Sequence, residues 1–161
     1  MALRDELGLR APFHAPAHEA LLGLYHTASQ IKKRIDVFLR AHGITDVQLN
    51  LLLLLHYQAG RDGGLTQVEL SRMMLVNRAN ITSLIDRMER SGLVARVGRP
   101  GDRRCRVIEL TPGGRRLIAK VERDYAREVA RIMAPLPARD LASLIRMLDA
   151  LRGGLRTRRR R

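Results

Sequence analysis

Aromatic residues are scarce in this sequence, which has no tryptophan and only 3% aromatic side chains among its 161 residues. Proteins that bind single-stranded nucleic acid stack the bases on aromatic rings, so this scarcity argues against such a platform. The one cysteine, Cys105, excludes an internal disulfide and any zinc site built from several cysteines.

Long apolar runs are missing too. The longest, Leu51–Leu55, is far too short to cross a bilayer, and the first ten residues do not resemble a signal peptide. We therefore expect a cytoplasmic protein that does not associate with a membrane. The sequence has no glycine-rich phosphate loop, no nucleophile elbow and no cluster of metal ligands. We expect no enzyme activity, no catalytic residue, no cofactor and no metal.

Acidic residues are few relative to basic ones. Lysine plus arginine number 30 against 16 aspartate plus glutamate, for a formal net charge of +14. Such an excess indicates a polyanionic partner, either nucleic acid or an acidic membrane surface. A membrane-surface protein would carry its basic residues along one amphipathic face. Here the arginines gather around residues 99–106 and in the tail, which favours nucleic acid.

The stretch Leu65–Leu110 contains the most specific pattern of the chain. Thr66 and Glu69 form a capping box that begins a short helix. Asn77 caps a second helix, which ends at Gly92. The expected apolar side of the first helix is Leu70, Met73 and Met74. That of the second recurs at helical spacing, at Ile81, Leu84, Ile85 and Met88.

Two strands follow these helices. Apolar alternation predicts strands at Leu93–Val97 and Cys105–Leu110, joined by a basic loop over Gly98–Arg104. Helix, tight turn, helix and basic hairpin are the outline of a winged helix-turn-helix that binds DNA. The predicted fold class is therefore mainly α with a small β-hairpin wing.

The rest of the chain divides around this lobe, which covers residues 44–111. Residues 1–15 are predicted to form an arm, and residues 153–161 a basic tail after Gly153-Gly154 end the last helix. Helices predicted at 16–42, 46–59, 112–134 and 138–152 complete the chain. Thr45 with Gln48 forms a capping box for the second of these, and Thr111 with Pro112 begins the third. The first and the last two carry apolar stripes at coiled-coil spacing. These stripes either pack inside one subunit or, as we prefer, make residues 16–43 and 112–152 a homodimer interface.

Several phrases of the sequence resemble the MarR family of bacterial transcriptional regulators. They are Leu75-Val76-Asn77-Arg78-Ala79-Asn80-Ile81-Thr82, Leu84-Ile85-Asp86-Arg87-Met88-Glu89, Ser91-Gly92-Leu93-Val94, Asp102-Arg103-Arg104 and Leu110-Thr111. The resemblance covers about residues 44–120, and beyond them only the order of helices agrees.

The resemblance implies a homodimeric regulator that binds a pseudo-palindromic operator, and we expect a repressor. It also implies release from DNA when a small aromatic or phenolic effector binds between the dimer helices and the lobe. The reactive first-helix cysteine of the peroxide-sensing members is absent. The alternative that the net charge allows is a non-specific or architectural DNA-binding protein without an effector.

Double-stranded DNA is thus the expected partner, and the residue types assign the contacts. Early recognition-helix residues read base edges, and later cations meet phosphates. The expected DNA-binding residues are Thr66, Gln67, Arg78, Asn80, Thr82, Ser83, Arg87, Arg90, Arg99, Asp102, Arg103 and Arg104. The polar Asn80, Thr82 and Ser83 argue for base reading over non-specific binding.

Two finer predictions concern the charges around the wing. Asp86 needs a cationic partner beside DNA, and Arg96 is the candidate for a helix-to-wing ion pair that the resemblance also suggests. The alternative partner is Arg90, one turn on. At the wing tip, the resemblance implies that Arg104 enters the minor groove, braced by Asp102. The alternative is a solvated basic loop that touches phosphate.

Overall fold

The computed structural model describes residues 2–59, 63–74, 78–99 and 102–157. These residues are mainly α-helical with one small antiparallel sheet, which confirms the predicted fold class. The chain divides into two compact units, residues 1–121 and 122–161. The first unit contains the predicted DNA-binding lobe and the helices before it. The second contains the end of one helix and the whole of the last.

Among the residues that the structure describes, five helices precede the wing. They are α1 Leu3–Glu6, α2 Pro16–Arg40, α3 Asp46–Gln58, α4 Gln67–Met73 and α5 Arg78–Arg90. The bounds of α2 and α3 agree with the predicted helices to within two residues. Helix α1 lies inside the predicted arm, where its Glu6 Oε2 is 3.1 Å from His26 Nε2 of α2. The arm therefore contains a helical turn that contacts α2.

Both predicted capping boxes are present. Thr45 N donates to Gln48 Oε1 at 2.9 Å, while Gln48 N donates to Thr45 Oγ1 at 3.3 Å. Thr66 and Glu69 repeat this exchange at the start of α4, with Thr66 N donating to Glu69 Oε2 at 2.7 Å. These bonds satisfy amide groups that a helix start leaves unpaired, so they determine where α3 and α4 begin.

The sheet has the order β1-β3-β2 and is antiparallel throughout. Its strands are β1 Gly64–Thr66, β2 Val94–Arg99 and β3 Asp102–Leu110. Strands β2 and β3 form the wing, and both extend further toward its tip than the sequence predicts. The prediction of a seven-residue loop was wrong, because Arg99 pairs with Asp102 in the ladder. Only Pro100 and Gly101 stand between the strands, and these two lie outside the described residues.

The core of the first unit is built mainly from α3 and α5. Its fully buried side chains include Leu49, Leu51, Leu52, Ile81, Ile85 and Met88. Leu70 of α4 and Met74, its C-cap residue, are buried, but Met73 is 46% exposed, so the predicted apolar side was wrong at Met73. A helix of seven residues packs along a narrow strip, and here the strip follows the four-residue step from Leu70 to Met74.

Helix α6, Pro112–Met133, begins as the sequence predicts, with a capping hydroxyl followed by proline. Thr111 Oγ1 accepts a hydrogen bond from Gly114 N at 3.0 Å and donates to Gly92 O at 2.6 Å. A Cβ on Gly114 would lie 2.1 Å from Leu93 O. Only glycine therefore fits where the first turn of α6 meets the chain entering β2.

Helix α7, Ala138–Thr157, continues through Gly153 and Gly154, so the predicted helix end at these glycines was wrong. A glycine ends a helix when it adopts the left-handed conformation, as Gly92 does with a φ of 66°. Gly153 and Gly154 do not have a positive φ. Residues 153–157 are consequently the last turn of α7, and the final residues 158–161 lie outside the described part.

Candidate nucleic-acid interface

Helix α5 separates its residues into a buried side and an exposed side. Ile81 and Met88 are 0% exposed and anchor the helix in the lobe. Asn80 and Ser83 are exposed on the other side, near the start of the helix. The spacing of apolar residues thus leaves two of the expected base-reading side chains on the surface. The side chain of Arg78 lies outside the described residues, as does the predicted cap Asn77.

A hydrogen bond between side chains joins α4 to α5. Gln67 Nε2 donates to Thr82 Oγ1, and both side chains are partly buried. The structure therefore brings together two residues that the sequence assigned to DNA binding. Thr66, the cap of α4, donates its hydroxyl proton to Glu69 Oε2 at 2.8 Å. Its hydroxyl also accepts from Glu69 N, so local capping already engages Thr66.

The last turn of α5 presents two cations. Arg87 and Arg90 are both exposed, and Arg90 Nε donates to Asp86 O at 3.3 Å. Positive charge near the C-terminal end of a helix interacts favourably with the helix dipole. Arginine at these two positions therefore stabilises α5 even without a DNA contact. Their exposure also leaves them accessible to a phosphate backbone.

An ion-pair cluster, which we call the helix-to-wing anchor, fastens α5 to β2. The guanidinium of Arg96 donates to Asp86 Oδ1 through Nη2 and to Glu89 Oε2 through Nη1. Glu89 Oε1 also accepts from Arg96 N at 3.1 Å. The predicted pair of Asp86 with Arg96 is present. Glu89 joins it as a second carboxylate that the sequence prediction missed.

The spacing on α5 contains a signal for Glu89. Glu89 follows Asp86 by three residues, and side chains at that spacing lie on the same helix face. Any strand cation that reaches Asp86 is therefore within reach of Glu89. The predicted pair accounts for the charge of Asp86 alone, whereas the guanidinium of Arg96 has donors enough for both carboxylates.

The environment of Arg96 keeps it charged. Partial burial on its own lowers the pKa of the Arg96 guanidinium. Hydrogen bonds to Asp86 and Glu89, together with the charges of the two carboxylates, outweigh burial, so the pKa lies above its ordinary value. The anchor consequently keeps its positive centre at physiological pH.

The end of the wing carries the remaining expected contacts. The backbone of Arg99 and of residues 102–104 belongs to β2 and β3, so these residues stand at the far end of the hairpin. The side chains of Arg99, Asp102, Arg103 and Arg104 lie outside the described residues. The predicted bracing of Arg104 by Asp102 therefore remains a prediction.

Within the described ranges, no three histidine, cysteine, aspartate or glutamate side chains come together as a metal site. None of the described helices combines the length and the apolar character that a bilayer crossing requires.

Two helices in a helix-turn-helix order, with the second anchored to a β-hairpin, define a winged helix-turn-helix protein. The MarR family model matches residues 42–104. The uncharacterized HTH-type transcriptional regulator YsmB of Bacillus subtilis is 37% identical over 109 residues, which cover 66% of this chain and 72% of that protein. The chain belongs to the MarR family of transcriptional regulators.

A second relative is the transcriptional activatory protein BadR of Rhodopseudomonas palustris, 35% identical over 99 residues. The match covers 62% of this chain and 56% of BadR, so the chain spans little more than half of that relative.

Solved structures agree with the fold. A MarR family regulator from Streptomyces coelicolor, in complex with DNA, has a TM-score of 0.77 at 22% identity, covering 91% of this chain and 92% of that one. CouR from Rhodococcus jostii, bound to p-coumaroyl-CoA, has a TM-score of 0.74 at 23% identity, covering 86% and 95%. At such identities the likeness establishes the fold alone.

Proposed function

We propose that this protein represses transcription by binding double-stranded DNA, as a homodimer on a pseudo-palindromic operator. The observation that carries the proposal is the exposed polar side of α5, which the helix-to-wing anchor holds in place. Winged helix-turn-helix proteins insert the first residues of their second, recognition helix into the major groove, and α5 is that helix here. The DNA complex of the Streptomyces coelicolor relative, which shares the fold, supports this use of the lobe.

The contacts divide by the chemistry of the side chains. Asn80 suits adenine and Arg78 suits guanine, because each pairs with its base through two hydrogen bonds. Ser83 adds an exposed hydroxyl on α5. Arg87 and Arg90, about two to three turns after Asn80, are placed to neutralise phosphates. Base reading at the start of α5 and phosphate contact at its end give sequence preference and affinity respectively.

Exposed apolar residues support the homodimer. In the single chain, Leu21 of α2 is 49% exposed and Leu24 is 39% exposed, although both belong to its predicted apolar stripe. On α7, Leu151 and Leu155 are 51% and 72% exposed. Contiguous apolar stripes on the surface of a soluble protein usually mark an interface. A second copy of the chain would cover them and supply the two-fold symmetry that a palindrome requires.

Selection of binding sites from random duplex tests this proposal. We expect an enriched palindrome whose half-sites are about one helical turn apart, roughly 10 base pairs centre to centre. We also expect two chains per duplex in sedimentation. Binding without any enriched sequence would instead identify a non-specific architectural protein.

Effector control is the second part of the proposal. A groove of about 640 Å³ lies between the end of α2 and the start of α3. Its lining combines apolar Val37 and Ile44 with the cations Lys32, Lys33 and Arg40 and the carboxylates Asp36 and Asp46. Lys32 lies beside both carboxylates, so Lys33 and Arg40 remain to bind an anion with an apolar body. Binding of p-coumaroyl-CoA by CouR is consistent with an aromatic acid derivative as the effector.

An effector releases DNA only if it binds the DNA-incompetent conformation more tightly. A panel of aromatic acids, scored by thermal shift and by competition with operator, measures this. We expect a stabilising acid that lowers operator affinity and whose effect weakens in Arg40→Gln but not in the control Arg139→Gln. If no acid changes either readout, the protein binds DNA constitutively.

A further inference from the structure

Helix α6 carries a row of positive side chains on its solvent side. We call this row the α6 stripe, and it consists of Arg116, Lys120, Arg123, Arg127 and Arg131. Steps of three or four residues keep side chains on one helix face. All five side chains are exposed, and Arg127 and Arg131 are 65% and 70% exposed. The sequence prediction placed the basic residues at the wing and the tail and overlooked this row.

Acidic neighbours reduce the charge of the stripe without cancelling it. Asp124 pairs with Arg127, and Glu128 lies 3.4 Å from Arg131. Five positive side chains beside these two carboxylates leave an excess of three positive charges along one helix. The positions at the N-terminal end of the stripe, Arg116, Lys120 and Arg123, have the least compensation.

The buried side of α6 argues against a membrane as the partner. A helix that binds a membrane surface inserts an apolar face beside its basic residues. Here Ile118 is 1% exposed and Val121 is 0% exposed, so the apolar face is packed beside the start of the stripe, and Val129 further along is 38% exposed. What remains accessible is a line of charge flanked by small residues such as Ala119 and Ala126.

A line of charge of this length matches a nucleic-acid duplex. Fifteen residues separate the first and last members of the stripe, and at 1.5 Å per residue they span about 22 Å. Double-stranded DNA carries one negative charge per about 1.7 Å of its axis, so a backbone offers partners along the whole row.

The stripe is separate from the wing contact. Strand β3 leads from the wing end at Asp102 to Leu110, just before α6, and its eight steps cover roughly 27 Å. We propose that the α6 stripe binds a second segment of duplex DNA through its phosphates, without sequence preference. This binding is in addition to the operator reading by α5 and does not require it.

The test compares two triple variants of the full chain. In the stripe variant, Arg116→Gln, Lys120→Gln and Arg123→Gln remove three cations of α6. In the matched control, Arg4→Gln, Arg10→Gln and Arg139→Gln remove three exposed cations elsewhere. Each protein, saturated with the shortest operator duplex, is titrated with a labelled non-operator duplex at several salt concentrations. A second arm uses the operator with long flanks, which distinguishes flanking DNA from a separate duplex.

We expect the stripe variant to bind the second duplex or the flanks roughly tenfold more weakly, with a salt slope lower by about 2 to 3. Its affinity for the shortest operator should stay unchanged, as should both affinities of the control. The proposal would be overturned if the stripe and control variants lost equal affinity for the second duplex and the flanks. It would also be overturned if the stripe variant bound both as tightly as the unsubstituted protein. Binding of an acidic polypeptide in place of duplex would also overturn it. A matching loss of affinity for the shortest operator in the stripe variant would also overturn it, because the stripe would then be part of the operator contact.

Discussion

At the scale of single residues, Arg96 holds the recognition helix to the wing. The Arg96→Met variant keeps the apolar stem and removes the guanidinium. Asp86 and Glu89 then stand side by side without a counter-charge. We expect a loss of about 1–2 kcal/mol in the free energy of unfolding, measured with urea. Operator affinity should fall as well, because two uncompensated carboxylates beside DNA repel phosphate.

The matched control is Arg127→Met, which removes an arginine from an ion pair within one exposed turn. Such surface pairs contribute about 0.5 kcal/mol or less. If Arg96→Met and Arg127→Met destabilise the protein equally, the anchor is an ordinary surface pair, and the helix-to-wing argument fails.

The wing gives a second prediction at this scale. We expect Arg104→Ala to weaken specific binding by about 1–3 kcal/mol, because we predict that the guanidinium enters a narrow minor groove. Replacing A·T pairs under the wing by G·C already weakens the attraction between the minor groove and Arg104 in the unsubstituted protein. The loss measured on the G·C-rich duplex should therefore be smaller. The same loss on both duplexes would make Arg104 a plain phosphate contact.

Between separate elements, residue pairs are predictable from sequence where charge demands a partner. An aspartate predicted to lie beside DNA requires a cation, and the strand after α5 offers Arg96, so the sequence alone predicts the pair of Asp86 with Arg96. Glu89 carries the same requirement, but an exposed glutamate near the end of a helix has many acceptable partners in sequence. The three-dimensional approach of β2 selects one of them.

At the scale of elements, Gly114 positions α6 against the start of β2. The Gly114→Ala variant would put a Cβ 2.1 Å from the backbone oxygen of Leu93, which no side-chain movement relieves. We expect it to destabilise the protein by about 2–3 kcal/mol in thermal or urea unfolding.

Gly153→Ala is the control, because a Cβ on Gly153 meets nothing within 4 Å. Alanine in a helix interior is favoured over glycine by about 0.5–1 kcal/mol, so this variant should be stabilised. The two substitutions therefore have opposite expected signs. A neutral Gly114→Ala would show that α6 shifts freely against β2.

Local signals explain which elements were predictable. Thr45, Thr66 and Thr111 begin their helices through hydrogen bonds within four residues, so the sequence predicts these starts well. Strand β1 has only three residues and exists through pairing with β3, more than forty residues later. Three residues are too few to show the alternation of apolar and polar side chains by which a strand is recognised in a sequence. The predicted end of α7 was wrong because glycine permits a helix end without requiring one.

At the scale of the whole molecule, composition predicts a polyanionic partner without locating the contact. The net charge of +14 is compatible with specific and with architectural DNA binding alike. The structure separates the exposed polar start of α5, which suits base reading, from the α6 stripe, which suits phosphates. Placement of the wing-tip arginines beside the groove stays a prediction.

The central claim is that α5 reads sequence at its start and contacts phosphate at its end. Asn80→Ala and Arg90→Ala, each titrated against the operator and a scrambled duplex, test it most directly. We expect Asn80→Ala to lower the operator-to-scrambled affinity ratio, by about 1–3 kcal/mol in free energy. Arg90→Ala should weaken both duplexes alike, with a salt slope lower by about 1. An equal loss on both duplexes for Asn80→Ala would contradict the account.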